Sequence, residues 1–159
     1  MMAETFMKAD KSNRSRVLLE MAKGYLDHDL PLISNLSNLS ALIKVYYPEL
    51  NWVGFYLYDH PRLYLGPFQG LPACTSIALG KGVCGTSAQT RKTFNVPKTE
   101  AFPGHIVCDS QSRSELVVPI VRDDTLIGVL DLDSPEENHF TEADEQCFEQ
   151  LVNLLIDFC

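Results

Sequence analysis

Three cysteines in segments rich in glycine, proline and polar residues give this chain its clearest chemical potential. Cys108 lies in FPGHIVCDSQSRSE, Cys74 follows Leu-Pro-Ala, and Cys84 lies in Gly-Lys-Gly-Val-Cys-Gly. A thiolate is the reactive form of cysteine, and nearby cations lower the thiol pKa from about 8.5 towards neutrality. His105 and Arg113 flank Cys108, which is therefore the candidate nucleophile. An oxidised nucleophile needs a second thiol to form a disulfide, and Cys74 and Cys84 are the candidates for that role.

The sequence is also compatible with core packing or metal binding by the cysteines. Most free cysteines are small core residues, and this is our interpretation of Cys147 on a predicted helix, while the C-terminal Cys159 is left unassigned. The spacing His105-x-x-Cys108 would suit two metal ligands, although a typical zinc site needs a second close pair. The five cysteines form an odd set without C-x-x-C spacing, so neither a secreted disulfide framework nor a zinc ribbon is predicted.

A second candidate group consists of carboxylates. Asp131 and Asp133 lie two residues apart in TLIGVLDLDS, a predicted strand, so both project from the same face. Glu115 begins the preceding predicted strand and could join them. Clustered carboxylates cannot all ionise cheaply, so one of them would hold a proton at neutral pH and could protonate a leaving oxygen. The alternative is a solvated strand end.

Aromatic residues supply a third group. Trp52 and Tyr56 share one face of a predicted strand and could form a wall for a small apolar group or a cation, or could simply pack in the core. The three groups are compatible with a single task. Reduction of a sulfoxide needs a thiolate that attacks sulfur, an acid that protonates the departing oxygen, a second thiol and a wall for the methyl group.

Two amphipathic helices, over residues 15–25 and 31–47, open the chain ahead of these groups. NWVGFYLY and RLYLGPFQG then form a predicted hairpin around Asp59-His60-Pro61. Its first strand is apolar on both faces, so we expect one face to pack on helices and the other to line a pocket.

The second half is predicted to contain a glycine-rich loop and a helix near residues 83–90, followed by a long loop over 97–114. SELVVPIV and TLIGVLDLDS form a second hairpin, in which Pro119 favours an edge or a bulge. A closing helix begins at Thr141 with a capping-box-like Asp144. Its predicted apolar stripe consists of Ala143, Cys147, Leu151, Leu154 and Phe158. This order predicts an α+β fold with a largely antiparallel central sheet and N- and C-terminal helices packed on it.

Length, charge and hydropathy limit the number of domains, the kinds of binding partner and the cellular location that we expect. The 159 residues suit a single domain over residues 1–159, with 1–14 as a flexible N-terminus. A net charge of -8 would repel a nucleic acid backbone or an anionic bilayer. No signal peptide or membrane span is recognisable, so we expect a cytoplasmic protein without nucleic acid or membrane partners.

Several segments together resemble the free methionine-R-sulfoxide reductases, which are catalytic GAF domains. The matching segments are NWVGFYLY, LGPFQGLPAC, GKGVCG, FPGHIVCDSQSRSELVVPI, GVLDLDSP and HFTEADE. The resemblance implies that Cys108 is the nucleophile, that Cys74 is the main resolving cysteine, and that Cys84 is an additional or alternative one. It assigns substrate binding to residues of both strand hairpins, namely Trp52, Tyr56, Glu115, Asp131 and Asp133.

The same resemblance implies a reaction and its partners. Cys108 would become a sulfenic acid, Cys74 would condense with it, and thioredoxin would reduce the resulting disulfide, with no metal or organic cofactor. The family also suggests a homodimer formed through the opening helices. The alternative is a non-catalytic GAF sensory module that binds a small ligand such as a cyclic nucleotide. Phe140-x-x-x-Asp144-Glu145 resembles the end of that signature, but its Asn-Lys pair is missing.

Overall fold

The computed structural model describes residues 7–159, which form one antiparallel sheet with helices on both faces. The helices are α1 (Arg14–Tyr25), α2 (Leu32–Tyr46), α3 (Gly82–Thr90) and α4 (Glu142–Ile156). The strands are β1 (Trp52–Asp59), β2 (Arg62–Gln69), β3 (Ser76–Ala78), β4 (Phe94–Val96), β5 (Ser114–Arg122) and β6 (Thr125–Ser134). Their order across the sheet is β3-β2-β1-β6-β5-β4, and every pairing is antiparallel. The predicted α+β architecture is therefore confirmed.

The strand β1 separates two cores, as its sequence predicts. Val53 and Phe55 are fully buried against α1, α2 and α4, in a cluster of apolar side chains. Trp52 and Tyr56 point to the opposite face and belong to a second cluster with α3. Because successive side chains of a strand alternate between faces, a run that is apolar throughout can serve both clusters.

The edge beside β5 departs from the prediction. The strand β4 was not predicted, because three residues before Pro97 are too few to show a period of two. β4 pairs with only the first half of β5, up to Val117. Pro119 lies beyond that pairing, where no neighbouring strand on this side needs its missing N–H, and a register shift follows between Ile120 and Val121. The expectation of an edge or bulge at Pro119 is confirmed.

The closing helix begins as predicted but buries a different stripe. The Thr141 side chain accepts a hydrogen bond from the Asp144 backbone N–H, and the Asp144 carboxylate accepts one from the Thr141 N–H, which makes a complete capping box. The predicted stripe is partly wrong, because Ala143 is exposed and Leu154 is only half-buried. The helix is rotated towards residues that the prediction omitted, and its buried apolar face consists of Cys147, Phe148, Leu151, Val152 and Leu155.

Two predictions from the sequence concern the N-terminus and membrane-spanning helices. The flexible N-terminus predicted over residues 1–14 falls in part on residues 1–6, which lie outside the described residues, and it stays a prediction. Within residues 7–159, no helix combines the length and the apolar character that crossing a bilayer requires.

Candidate active site

Three carboxylates meet on the face of the sheet that carries α3. Glu115 on β5 is paired with Asp133 on β6, and Asp131 lies two residues further along the same face. Their exposed fractions are 7%, 8% and 6%. The alternative of a solvated strand end is therefore wrong, and the predicted cluster forms inside the protein.

Burial sets the protonation of this cluster. It raises the pKa of Asp131 to about 6. The pKa values of Glu115 and Asp133 are raised well above their ordinary range, first by burial and then by the charge of neighbouring carboxylates. Desolvation and like charges both disfavour the ionised form, so the cluster holds at least one proton at neutral pH. It has the chemical character of a general acid.

The thiol of Cys84 lies against the same carboxylates. Cys84 belongs to the first turn of α3, and its Sγ donates a hydrogen bond to Glu115 Oε1 at 3.8 Å. Burial, followed by the negative charges of Asp131 and Glu115, raises the pKa of this thiol. Cys84 therefore rests as a neutral thiol and is a poor nucleophile in this state.

The other two site cysteines are joined to each other. A disulfide links Cys74, in the loop after β2, to Cys108, in the loop before β5. Since the Cys108 sulfur is bonded to Cys74, the metal interpretation of His105-x-x-Cys108 is not supported by this structure. His105 instead lines the cavity described below, and burial lowers its pKa.

The aromatic pair positions the loop that carries Cys74. The rings of Trp52 and Tyr56 stack with centroids 5.9 Å apart. Trp52 Nε1 donates a hydrogen bond to the Leu71 carbonyl at 3.1 Å, and Tyr56 Oη donates one to the Cys74 carbonyl at 2.9 Å. The two side chains therefore form a wall and also tie the loop that carries Cys74 to the sheet, a second role that their sequence pattern did not predict.

All of these groups surround one narrow cavity. Seven of the eight predicted site residues line it. The eighth, Cys74, does not, although the preceding residue, Ala73, does. A water molecule's centre could occupy about 40 Å³ of this space. The loop before β5 covers one side of the cavity, which its residues His105, Ile106 and Asp109 line. The Ile106 side chain comes within 3.2 Å of where a Cβ on Gly82 would lie. Gly82 has φ of +60°, so both the conformation and the close contact favour glycine there.

The sequence reasoning missed the residues that fix this covering loop. Asn51 Nδ2 donates hydrogen bonds to Asp109 Oδ2 at 3.0 Å and to Ser112 Oγ at 3.1 Å. Asn51 directly precedes β1, and its backbone N–H also bonds to the Asp133 carbonyl. A single asparagine before a strand has too many common roles for its position to have revealed this one.

Comparisons with known proteins agree with this geometry. A GAF domain model matches residues 16–156. Free methionine-R-sulfoxide reductase of Saccharomyces cerevisiae is 42% identical over 150 residues, which cover 89% of this chain and 83% of the yeast protein. The enzyme of the same name from Escherichia coli is 45% identical over 120 residues, which cover 76% and 73% of the two chains. The chain belongs to the free methionine-R-sulfoxide reductase family of GAF domains.

A solved structure from this family gives the same result in three dimensions. The free methionine-R-sulfoxide reductase from Neisseria meningitidis, in complex with its substrate, superposes with a TM-score of 0.92 at 38% identity, over 99% of this chain and 95% of that one. The matched segments include the cysteine-bearing loops as well as the sheet. Membership of a catalytic family disfavours the alternative of a non-catalytic sensory module.

Proposed function

We propose that this protein reduces free L-methionine-R-sulfoxide to methionine by a thiol cycle in the cavity between α3 and the sheet. The observation that carries the proposal is the Cys74–Cys108 disulfide beside a buried, proton-holding carboxylate cluster. A disulfide between two loop cysteines is the expected oxidised product of such a cycle. The family to which the chain belongs supports the same reaction.

In the first step, the Cys108 thiolate attacks the sulfoxide sulfur. The carboxylate cluster donates a proton to the oxygen, which transfers to the Cys108 sulfur. The bonds from the substrate sulfur to oxygen and to Cys108 both break, and methionine leaves with an electron pair on its sulfur. Cys108 is oxidised by two electrons to a sulfenic acid, and the sulfoxide sulfur is reduced by two. In the second step, the Cys74 sulfur attacks the Cys108 sulfur, a disulfide forms and water leaves. Thioredoxin then supplies two electrons and two protons and restores both thiols. No step needs a metal or an organic cofactor.

The carboxylate cluster both binds the sulfoxide oxygen and donates a proton to it. Glu115, Asp131 and Asp133 line the cavity on one side, and the wall of Trp52 and Tyr56 lines it on another. A protonated carboxyl can donate to the polar sulfoxide oxygen, while the aromatic faces accept the methyl group. These contacts place the sulfur between acid and thiol, as general acid catalysis requires.

The disulfide form has too little room for the substrate. A space of about 40 Å³ for water centres holds only a few water molecules. Methionine sulfoxide therefore enters only after the Cys74–Cys108 bond is reduced and the loop that carries Ile106 moves away from Gly82. Reduction by thioredoxin thus both regenerates the nucleophile and reopens the cavity.

Two further expectations concern the setting of the reaction. The thiol cycle needs a reducing compartment, so we expect a cytoplasmic enzyme. The family suggests a homodimer formed through the opening helices, which light scattering of the purified protein would test.

The proposal is tested by measuring methionine release from both free sulfoxide epimers and from a sulfoxide-containing peptide, with a dithiol reductant. The R epimer of the free amino acid should react much faster than the S epimer and the peptide, because the covered cavity excludes a continuing main chain. Equal rates on free and peptide-bound sulfoxide would overturn the assignment.

A further inference from the structure

A compact group of three potential metal ligands lies in the cavity. It consists of Cys84, Glu115 and Asp131. One thiol sulfur and two carboxylate oxygens lie within 4.8 Å of one another. In a tetrahedral zinc site, bonds of about 2.3 Å to sulfur and about 2.0 Å to oxygen place the ligand atoms roughly 3.3–3.5 Å apart. The Cys84 Sγ to Glu115 Oε1 distance of 3.8 Å is already close to that value.

One carboxylate oxygen of this set lacks a hydrogen-bond partner, although the Asp131 side chain is hydrogen-bonded to Glu115 and Cys84. Asp131 is only 6% exposed, and its Oδ1 is buried without a hydrogen-bond donor. A buried polar atom of this kind is costly unless something pairs with it. Asp131 lines the cavity together with Cys84 and Glu115, so a metal ion that enters there would meet all three potential ligands.

We propose that these three residues bind a thiophilic divalent cation such as Zn²⁺ or Cd²⁺, and that the bound cation blocks the sulfoxide site. The thiolate ligand selects such ions over Mg²⁺ and Ca²⁺, which prefer oxygen ligands alone. On binding, the thiol and any protonated carboxyl release their protons, and the cation compensates the charges of the donor set. No redox change occurs at any of the three residues. The inhibitory half of this inference rests on the proposed function, whereas the binding half does not.

The binding half is tested on the oxidised protein, in which Cys74 and Cys108 are bonded and Cys84 is the free thiol of the cavity. Co²⁺ is the probe, because a thiolate ligand gives cobalt an intense charge-transfer absorption. We expect one equivalent of Co²⁺ to produce this band, Zn²⁺ to abolish it, and Mg²⁺ to leave it unchanged. The matched control is Cys147→Ser, which removes a buried thiol on the opposite face of the sheet and should keep the band.

Variants of the three donors decide whether they are the ligands. Cys84→Ser should lose the band. Glu115→Gln and Asp131→Asn keep every thiol and should weaken Co²⁺ binding at least about tenfold, since even residues that only support a ligand contribute that much. Circular dichroism of each variant checks the fold. The inference is overturned if the wild type gives no band, or if the band survives in Cys84→Ser or disappears in Cys147→Ser.

The inhibitory half is tested in a single turnover without reductant, because free thiols would capture the metal. Pre-reduced enzyme should release methionine more slowly with Zn²⁺ present, and excess sulfoxide should relieve the inhibition. The zinc concentration needed should rise at least about tenfold in Cys84→Ser. An unchanged requirement would show that zinc acts through Cys108 and would refute the inhibitory claim. If the enzyme were inactive on every sulfoxide but still gave the cobalt band, the proposed function would fail and the metal site would stand.

Discussion

The two faces of the central sheet carry different kinds of side chain. On β6, Leu130 and Leu132 point into the apolar core beneath α1, α2 and α4, while Asp131 and Asp133 point to the cavity beneath α3. Neighbouring residues of one strand thus serve opposite purposes. Because side chains alternate strictly along a strand, a single segment can supply both the stability of the fold and a buried, proton-holding site.

Two buried cysteines show the same contrast. Cys147 is 3% exposed and Cys84 is 4% exposed, so their burial is nearly equal. Cys147 packs in the apolar core near Tyr47, whereas Cys84 lies against Glu115. The neighbours, and not the burial, distinguish a packing residue from a site residue. Matched substitutions on the two faces should therefore have different effects on activity and stability.

The largest contrast is expected between two cysteine substitutions. Cys108→Ser should release no methionine, because a hydroxyl cannot replace the thiolate as the attacking group. Cys147→Ser should keep activity near the wild-type value, because it lies on the helix-covered face. Methionine release measured with a dithiol reductant compares them. Comparable activity in the two variants would remove the distinction between the faces.

A smaller effect is expected for the general acid. Glu115→Gln should slow methionine release by about 10²–10⁴-fold, which is the usual contribution of general acid catalysis. The control is Glu149→Gln on α4, whose carboxylate accepts a hydrogen bond from Thr93 on the helix side. Steady-state rates at neutral pH provide the measurement. Nearly full activity in Glu115→Gln would move the proton donor to another residue.

The smallest effect concerns stability and its dependence on pH. Burial raises the folded-state pKa of Asp131 from 3.8 to about 6, so its contribution to stability is fully present below the unfolded pKa and is lost as the pH rises through about 6. Asp131→Asn cannot ionise and should gain stability relative to the wild type between pH 4 and pH 7, on the order of 1–3 kcal/mol.

The control for this pH effect lies on the other face. Leu130→Ala should lose about 2–5 kcal/mol at every pH, because it leaves a cavity in the apolar core without changing a charge. Urea unfolding at pH 4, 5.5 and 7 measures both variants. If the difference between Asp131→Asn and the wild type did not change with pH, the account of the buried carboxylate would be wrong.

The sequence predicts the two faces because alternation is visible in it. NWVGFYLY and TLIGVLDLDS each show which residues share a face, and the structure confirms both alternations. The helices at both ends, the two hairpins and the capping box at Thr141 also follow from local patterns. Glu115 was identified as a partner of the aspartates because adjacent strands of a hairpin must lie side by side.

Features that depend on tertiary contacts could not be predicted in this way. The strand β4 is too short to show a period, and the orientation of α4 depends on which residues of α1 and β5 it meets. Residue spacing alone left both Cys74 and Cys84 as partners for Cys108, because disulfide pairing depends on where loops meet in space. The hydrogen bonds from Trp52 and Tyr56 to the Cys74 loop are invisible in the sequence for the same reason.

Counting methionine in a single turnover of Cys74→Ser tests the division of labour between the thiols most directly. Without reductant, the folded variant should release about one equivalent per active site and leave Cys108 as a sulfenic acid, or bonded to Cys84 if that thiol replaces Cys74. Mass spectrometry distinguishes the two products, and the same experiment on the wild type should yield the Cys74–Cys108 disulfide. Release of no methionine by a folded Cys74→Ser, or a stoichiometric burst from Cys108→Ser, would contradict the account.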